Sequence, residues 1–201
     1  MNVSLRGLLA RSLGSELTPE LAAQIEVAAM RGGQEVFCVP EFAPQRCASL
    51  MFAAEPFADV LSELHLMHQE HWSETERHRH GLKLNPDYEC MLADAAAGRL
   101  IQFTARHEGK LVGNLRVYLG RSRHTQTVFG SEDTLYLTPL HRRGRNAMRF
   151  VQYAEKCLAS MGVAEVRCNA KTVNRTSDFL QAMGYMHVAN ELVKMLPIPN
   201  N

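Results

Sequence analysis

The sequence predicts an α/β fold, strands and helices following one another along the chain behind a separate helical segment. Three stretches predict it. In Thr134 to Thr138, Leu135 and Leu137 take one face of a short strand and Thr134, Tyr136 and Thr138 the other, and Pro139 ends it. Beyond a basic loop, Ala147, Val151, Ala154, Leu158 and Met161 recur at steps of four and three, the apolar stripe of a helix, with Gly162 at its C-cap position. Leu100 to Arg106 and Lys110 to Leu119 form a hairpin joined by Glu108-Gly109.

In chain order, Leu5 to Leu13 reads as a helix, and Thr18 as N-cap with Pro19 at N1 opens a second, on which Leu21, Ile25 and Ala28 share a face. Gly32-Gly33 ends it. Gln34 to Val39 reads as a strand and Pro40 to Pro44 as a turn or linker, so residues 1–46 form an N-terminal extension and 47–201 the main domain. Ser49 to Ala53 is the next strand. Phe57 to His71 is a helix with Val60, Leu61, Leu64 and Met67 inward. Asn85-Pro86-Asp87 opens another helix, burying Tyr88, Met91, Leu92 and Ala95 and stopping at Gly98. Arg121 to Gly130 is a polar connection. Ala164, Val166, Cys168 and Ala170 alternate with Glu165, Arg167, Asn169 and Lys171 in a strand, Thr176 to Met183 is a helix, and Tyr185 to Leu196 gives two short closing strands.

With 201 residues and 46% hydrophobic content, the chain suits one domain with a good core plus an extension. Its 22 basic and 21 acidic residues leave a net charge of +1, so any basic site is local rather than the footprint of a whole nucleic-acid binder. The five cysteines, Cys38, Cys47, Cys90, Cys157 and Cys168, lack metal or redox spacing, which points to reduced thiols in a cytoplasm. No apolar run is long enough to span a membrane, and the first residues lack a secretory pattern.

The loop His141-Arg142-Arg143-Gly144-Arg145-Asn146 is electrically odd, because arginines at a helix N-terminus oppose the macrodipole. An anion resolves the conflict: free amides from Gly144 to Ala147 and the guanidinium groups suit a phosphate. A solvated basic turn is the alternative. His65, His68 and His71 step by three along their helix, with His78 and His80 nearby; a polar face with partly solvated imidazoles stands against a zinc or proton-transfer site, and no cysteine completes a ligand set, so no metal is expected.

The strand, loop and helix around residues 133–162 resemble the acyl-CoA-binding motif of the GNAT N-acyltransferases: Arg or Gln, two residues, Gly, one residue, Gly or Ala. Arg142 matches the first position and Ala147 the last, while Arg145 replaces the first glycine, a departure resembling phage-encoded members. The GNLRV segment at Gly113 to Val117, Asn174 after a strand, and a helix ending in Gly184-Tyr185 resemble further parts of the family, so the likeness covers roughly residues 47–197.

That resemblance implies a mixed, mostly antiparallel central sheet flanked by helices, and acetyl transfer from acetyl-CoA directly to a primary amine. It implies that the amides and side chains of Arg142, Arg143, Gly144, Arg145, Asn146 and Ala147 hold the pyrophosphate. Leu137, Thr138 and Asn174 would meet the pantetheine arm, with an amide of Leu137 or Leu140 as oxyanion donor. Glu132 or Asp133 would activate the amine, the alternative being an exposed acidic turn. The family's general-acid Tyr position holds Leu180, leaving Tyr136, Tyr153 or water to protonate the thiolate. His71, Trp72, Glu74 and Glu76 would line the acceptor site.

The acceptor expected is a small-molecule or protein amine, with a homodimer allowed by the extension. Two alternatives remain: a catalytically weak CoA-binding protein of phage or host interaction, and a nucleic-acid-modifying relative, for which Arg77, Arg79, Lys83, Arg121 and Arg123 would need to converge. For Asn174 the local alternative is a turn residue bonding its own backbone.

Overall fold

The computed structural model describes residues 8–9, 12–30, 35–76 and 82–196. The chain divides into two compact units, Met1–Asn169 and Ala170–Asn201. The first holds helix α1 (Pro19–Met30), strands β1 (Gln45–Cys47) and β2 (Leu50–Ala54), helices α2 (Phe57–Thr75) and α3 (Tyr88–Ala96), strands β3 (Leu100–His107), β4 (Lys110–Arg121) and β5 (Val128–Leu137), helix α4 (Asn146–Ser160) and strand β6 (Val163–Arg167). The second holds helix α5 (Thr176–Ala182).

The strands form one six-stranded sheet in the order β1-β2-β3-β4-β5-β6. Each neighbour pair from β1 to β5 is antiparallel, β2 reaching β3 through α2 and α3, and only β5 and β6, joined through α4, run parallel. This is the mixed, mostly antiparallel sheet flanked by helices, with an N-terminal helix ahead of it.

Alternation gives the sheet two unlike faces. On one, Phe52, Ile101, Phe103, Leu115, Val117 and Leu137 pack against Phe150, Tyr153, Ala154, Cys157 and Leu158 of α4. Of the expected α4 stripe, Val151, Ala154 and Leu158 are buried and Ala147 and Met161 half-buried, and Gly162 follows the helix at φ 78°. A smaller cluster joins Phe57, Val60 and Leu64 of α2 to Leu100, with Tyr88, Met91 and Leu92 packed around it. Gly113 is required by close packing: a Cβ there would lie 2.3 Å from Leu137 Cδ2 and 3.0 Å from the Tyr136 carbonyl.

Local helix signals hold. Thr18 Oγ1 accepts the Leu21 N–H at 3.2 Å, and Asp87 Oδ1 accepts the Cys90 N–H at 2.9 Å. Most of the helix expected over Leu5 to Leu13 lies outside the described residues. Three strand expectations are corrected. Of the strand expected over Gln34 to Val39, the described residues Glu35 to Val39 join no ladder, and Phe37, Val39 and Phe42 pack against the core instead. The segment expected as a polar connection already belongs to β5 from Val128, whose length is set by pairing with β4. Tyr185 to Leu196 forms no strands, because its apolar residues find no ladder partner, and Met186, Val188 and Leu192 are exposed.

Candidate active site

The face of the sheet turned away from α4 is polar and yet buried. In register across β3, β4 and β5 stand the rows Gln102, Arg116, Thr134 and Thr104, Asn114, Tyr136. All six side chains are buried. Helix α2 covers them with His68, also buried, while the His71 ring lies 5.7 Å from that of Tyr136. Solvated groups are normally left out of a core, so a layer of this kind is retained where its polar atoms have work to do.

A β-bulge shapes the middle of the layer. Glu132 pairs with Val117 and Thr134 with Arg116, which leaves Asp133 as the extra residue. The bulge parts the two acids. Asp133 turns to Arg116, accepting hydrogen bonds on Oδ2 from Nε at 2.8 Å and from Thr134 Oγ1 at 3.1 Å, with Nη2 in ion-pair contact at 2.7 Å. Glu132, opposite Val117, is on the α4 side and accepts the Asn169 N–H at 3.4 Å. Arg116 Nη1 also faces His68 Nε2 at 3.2 Å, and His68 Nδ1 meets the Tyr88 hydroxyl at 3.0 Å. Burial, then the Arg116 charge, lowers the His68 pKa to about 4, so it is neutral at pH 7. His65 stacks on Tyr88 at 4.7 Å. Among the described residues no group of three or more side chains is arranged to hold a metal; His78 and His80 lie outside them.

Tyr136 donates its hydroxyl proton to Glu70 Oε2 at 3.0 Å. Burial first, then Glu70, pushes its pKa up to about 12, so the phenol keeps its proton. Burial also holds the His71 imidazole below its usual range. Tyr153 is in the other layer, against Phe52 and Phe103, with its hydroxyl on the Ala43 carbonyl at 3.3 Å. Of the two tyrosines, only Tyr136 belongs to the polar layer.

At its far end β5 leaves its parallel neighbour. The β5–β6 register stops at Ser131↔Arg167, whereas β5 continues to Leu137. The Thr138 N–H bonds the Val112 carbonyl at 2.8 Å, toward β4, so by alternation the backbone groups of Leu137 point to the side where the ladder has opened. The Leu137 carbonyl there accepts Arg142 Nε at 2.6 Å.

The basic loop is wired to this strand end. Thr138 Oγ1 lies 2.7 Å from His141 Nδ1, and Asn146 Nδ2 donates to the His141 carbonyl at 3.1 Å. Gly144 takes a left-handed φ of 62° with open space where a Cβ would stand. Helix α4 then starts with no side-chain cap, and its first backbone bond runs from Arg149 N–H to the Arg145 carbonyl at 2.9 Å. The amides of Ala147 and Met148 precede that bond and have no acceptor within the helix. Arg143 and Arg145 are exposed beside them.

Arg142 behaves differently from its neighbours. Its Nη1 and Nη2 donate to Glu74 Oε1 and Oε2 at 2.7 and 2.6 Å, its guanidinium sits 5.0 Å from the Tyr136 ring centroid, and these hydrogen bonds lower the Glu74 pKa. The loop is thereby tied to α2. Trp72 and Ala147 are half-buried, Thr75 and Glu76 buried and Leu140 exposed. In the second unit, Asn174 Oδ1 accepts the Thr176 N–H at 3.0 Å, the geometry of a turn ahead of α5.

Sequence reasoning missed Arg116, Asn114, Thr104 and Glu70. Their signal was a period of two with polar residues on one face, which a solvent-facing strand gives equally well.

The fold of the chain is shared with solved proteins. An aminoglycoside acetyltransferase from an uncultured soil metagenomic sample, in complex with sisomicin, superposes with a TM-score of 0.60 at 16% identity, over 74% of this chain and 97% of that one. The fold is that of the GNAT acetyltransferases. A ribosomal-protein-alanine N-acetyltransferase from Brucella melitensis biovar Abortus 2308 matches at TM-score 0.59 and 17% identity, over 75% of this chain and 99% of that one. A predicted acetyltransferase from Clostridium acetobutylicum, solved with acetyl-CoA, matches at 0.55 and 12%, over 73% and 96%. No protein-family model and no curated sequence matches this chain. At these identities the GNAT likeness is one of fold.

Proposed function

We propose that this chain is an N-acyltransferase that moves an acetyl group from acetyl-CoA directly to the primary amine of an acceptor. The observation that carries the proposal is the junction of β5 and α4: a strand end without its parallel neighbour, followed by a left-handed glycine, two exposed arginines and an uncapped helix. Arg143, Gly144, Arg145, Asn146 and Ala147 would hold the pyrophosphate through amides and guanidinium groups. Leu137 and Thr138 would line the pantetheine arm. Arg142 would position the loop through Glu74 and the Leu137 carbonyl.

In the reaction the amine nitrogen attacks the thioester carbon, the carbon–sulfur bond breaks and the electron pair leaves on sulfur. The Leu137 N–H, on the open side of β5, would meet the oxyanion. Asp133 or Glu132, through water, would take the proton that the amine loses, and Tyr136 would return one to the thiolate. His71, Trp72 and Glu74 would face the acceptor. The products are an amide and free CoA. Mixing the protein with acetyl-CoA and an amine panel, with thiol release and acetylated product both followed, tests this. Release of thiol matched by acetylated amine is expected; absence of both for every amine would contradict it.

A further inference from the structure

Among the described residues, the polar layer holds one side chain whose polar atoms are all left without a partner. Asn114 is 0% exposed, and neither Nδ2 nor Oδ1 has a hydrogen-bond partner. Its neighbours are committed elsewhere. Thr104, opposite it on β3, donates to Glu55; Tyr136, opposite it on β5, donates to Glu70. Gln102 directs Nε2 to the Phe103 carbonyl at 2.8 Å, and its own Oε1 is likewise buried without a partner. A carboxamide left like this destabilises the fold, and a leucine of similar volume would fill the position at lower cost.

We infer that Asn114 reads the acceptor, pairing with a neutral hydroxyl or amide group carried close to the reactive amine. The assignment rests on the acyltransferase function proposed above. A carboxamide offers donors and an acceptor together, which suits a group that also has both. A second charge is disfavoured there, because Arg116 already has Asp133 as its counter-ion and Tyr136 keeps its proton. Asn114 also shares its face with Tyr136, so a group bound to it lies beside the position given to the proton donor. A plain alkylamine would leave both amide atoms unpaired, and a site built for hydrogen bonding discriminates strongly against such an analogue.

The test compares ethanolamine and alaninamide with propylamine as acceptors for the wild type and for Asn114→Leu, together with melting temperature and calorimetric acetyl-CoA affinity. The wild type should prefer the two polar amines, and in Asn114→Leu that preference, as a ratio of kcat/KM, should fall by about ten-fold or more. The variant should melt at or above the wild-type temperature and bind acetyl-CoA equally well. An unchanged preference ratio overturns the inference, as does a variant that melts well below wild type, since the carboxamide would then be structural. Should Asn114→Leu fail to fold, Asn114→Ala supplies the same ratio. A wild type that binds acetyl-CoA yet acetylates none of the three amines overturns this assignment alone; one that does not bind acetyl-CoA removes the proposed function beneath it.

Discussion

Protonating His68 would set a second cation 3.2 Å from the Arg116 guanidinium, inside a layer that excludes water. The folded protein therefore holds its pKa near 4, against 6.5 for an ordinary histidine. Above pH 6.5 both folded and unfolded forms are neutral and the stability is fully present. As pH falls toward 4 the unfolded chain takes the proton first, so stability is lost through that window, by up to ~3 kcal/mol. Melting temperature should drop between pH 6.5 and 4, and His68→Gln should flatten that slope; an unchanged slope would show that other groups produce it. At the same scale, Tyr136→Phe removes the proton held for Glu70 and the thiolate. It should lower kcat about ten-fold or more while leaving acetyl-CoA affinity within about two-fold. Full turnover in that variant would leave water as the proton source.

Among the elements, the tie between the basic loop and α2 separates three arginines that look alike in the sequence. Arg142 makes a two-pronged ion pair with Glu74 and a third bond to the Leu137 carbonyl, so Arg142→Ala should cost about 1 kcal/mol of stability, with a coupling of similar size to Glu74→Gln in a double-mutant cycle. Thermal melts of the single and double variants measure it, and strict additivity would show the pair to be energetically idle. Arg143→Ala and Arg145→Ala should leave melting unchanged. Helix ends were legible because their signals are local: Thr18, Asp87 and Gly162 act within a turn of themselves. Strand lengths were less so, since the start of β5 at Val128 depends on pairing with β4. The polar layer was illegible for a related reason. Thr134 and Tyr136 alternate with leucines as they would on a wet sheet, and only the placement of α2 above them makes that face interior.

At the scale of the whole molecule, the sheet does one thing at its parallel end and another under α2. Between β5 and β6 it opens, beside the uncapped start of α4; beneath α2 it carries a layer of buried polar side chains. The basic loop was readable in the sequence as an anion site because three arginines at a helix start need a counter-charge, but which of them is held in an ion pair was settled by Glu74, far away in the chain. Binding of acetyl-CoA by Arg143, Arg145 and the amides from Gly144 to Ala147 is the claim on which the rest depends. Calorimetric titration of acetyl-CoA into the wild type and the Arg143→Ala/Arg145→Ala double variant tests it most directly. Saturable binding by the wild type, weakened about ten-fold or more in a variant of unchanged melting temperature, is the predicted result. Equal affinity in the two proteins, or no binding by the wild type, would contradict it.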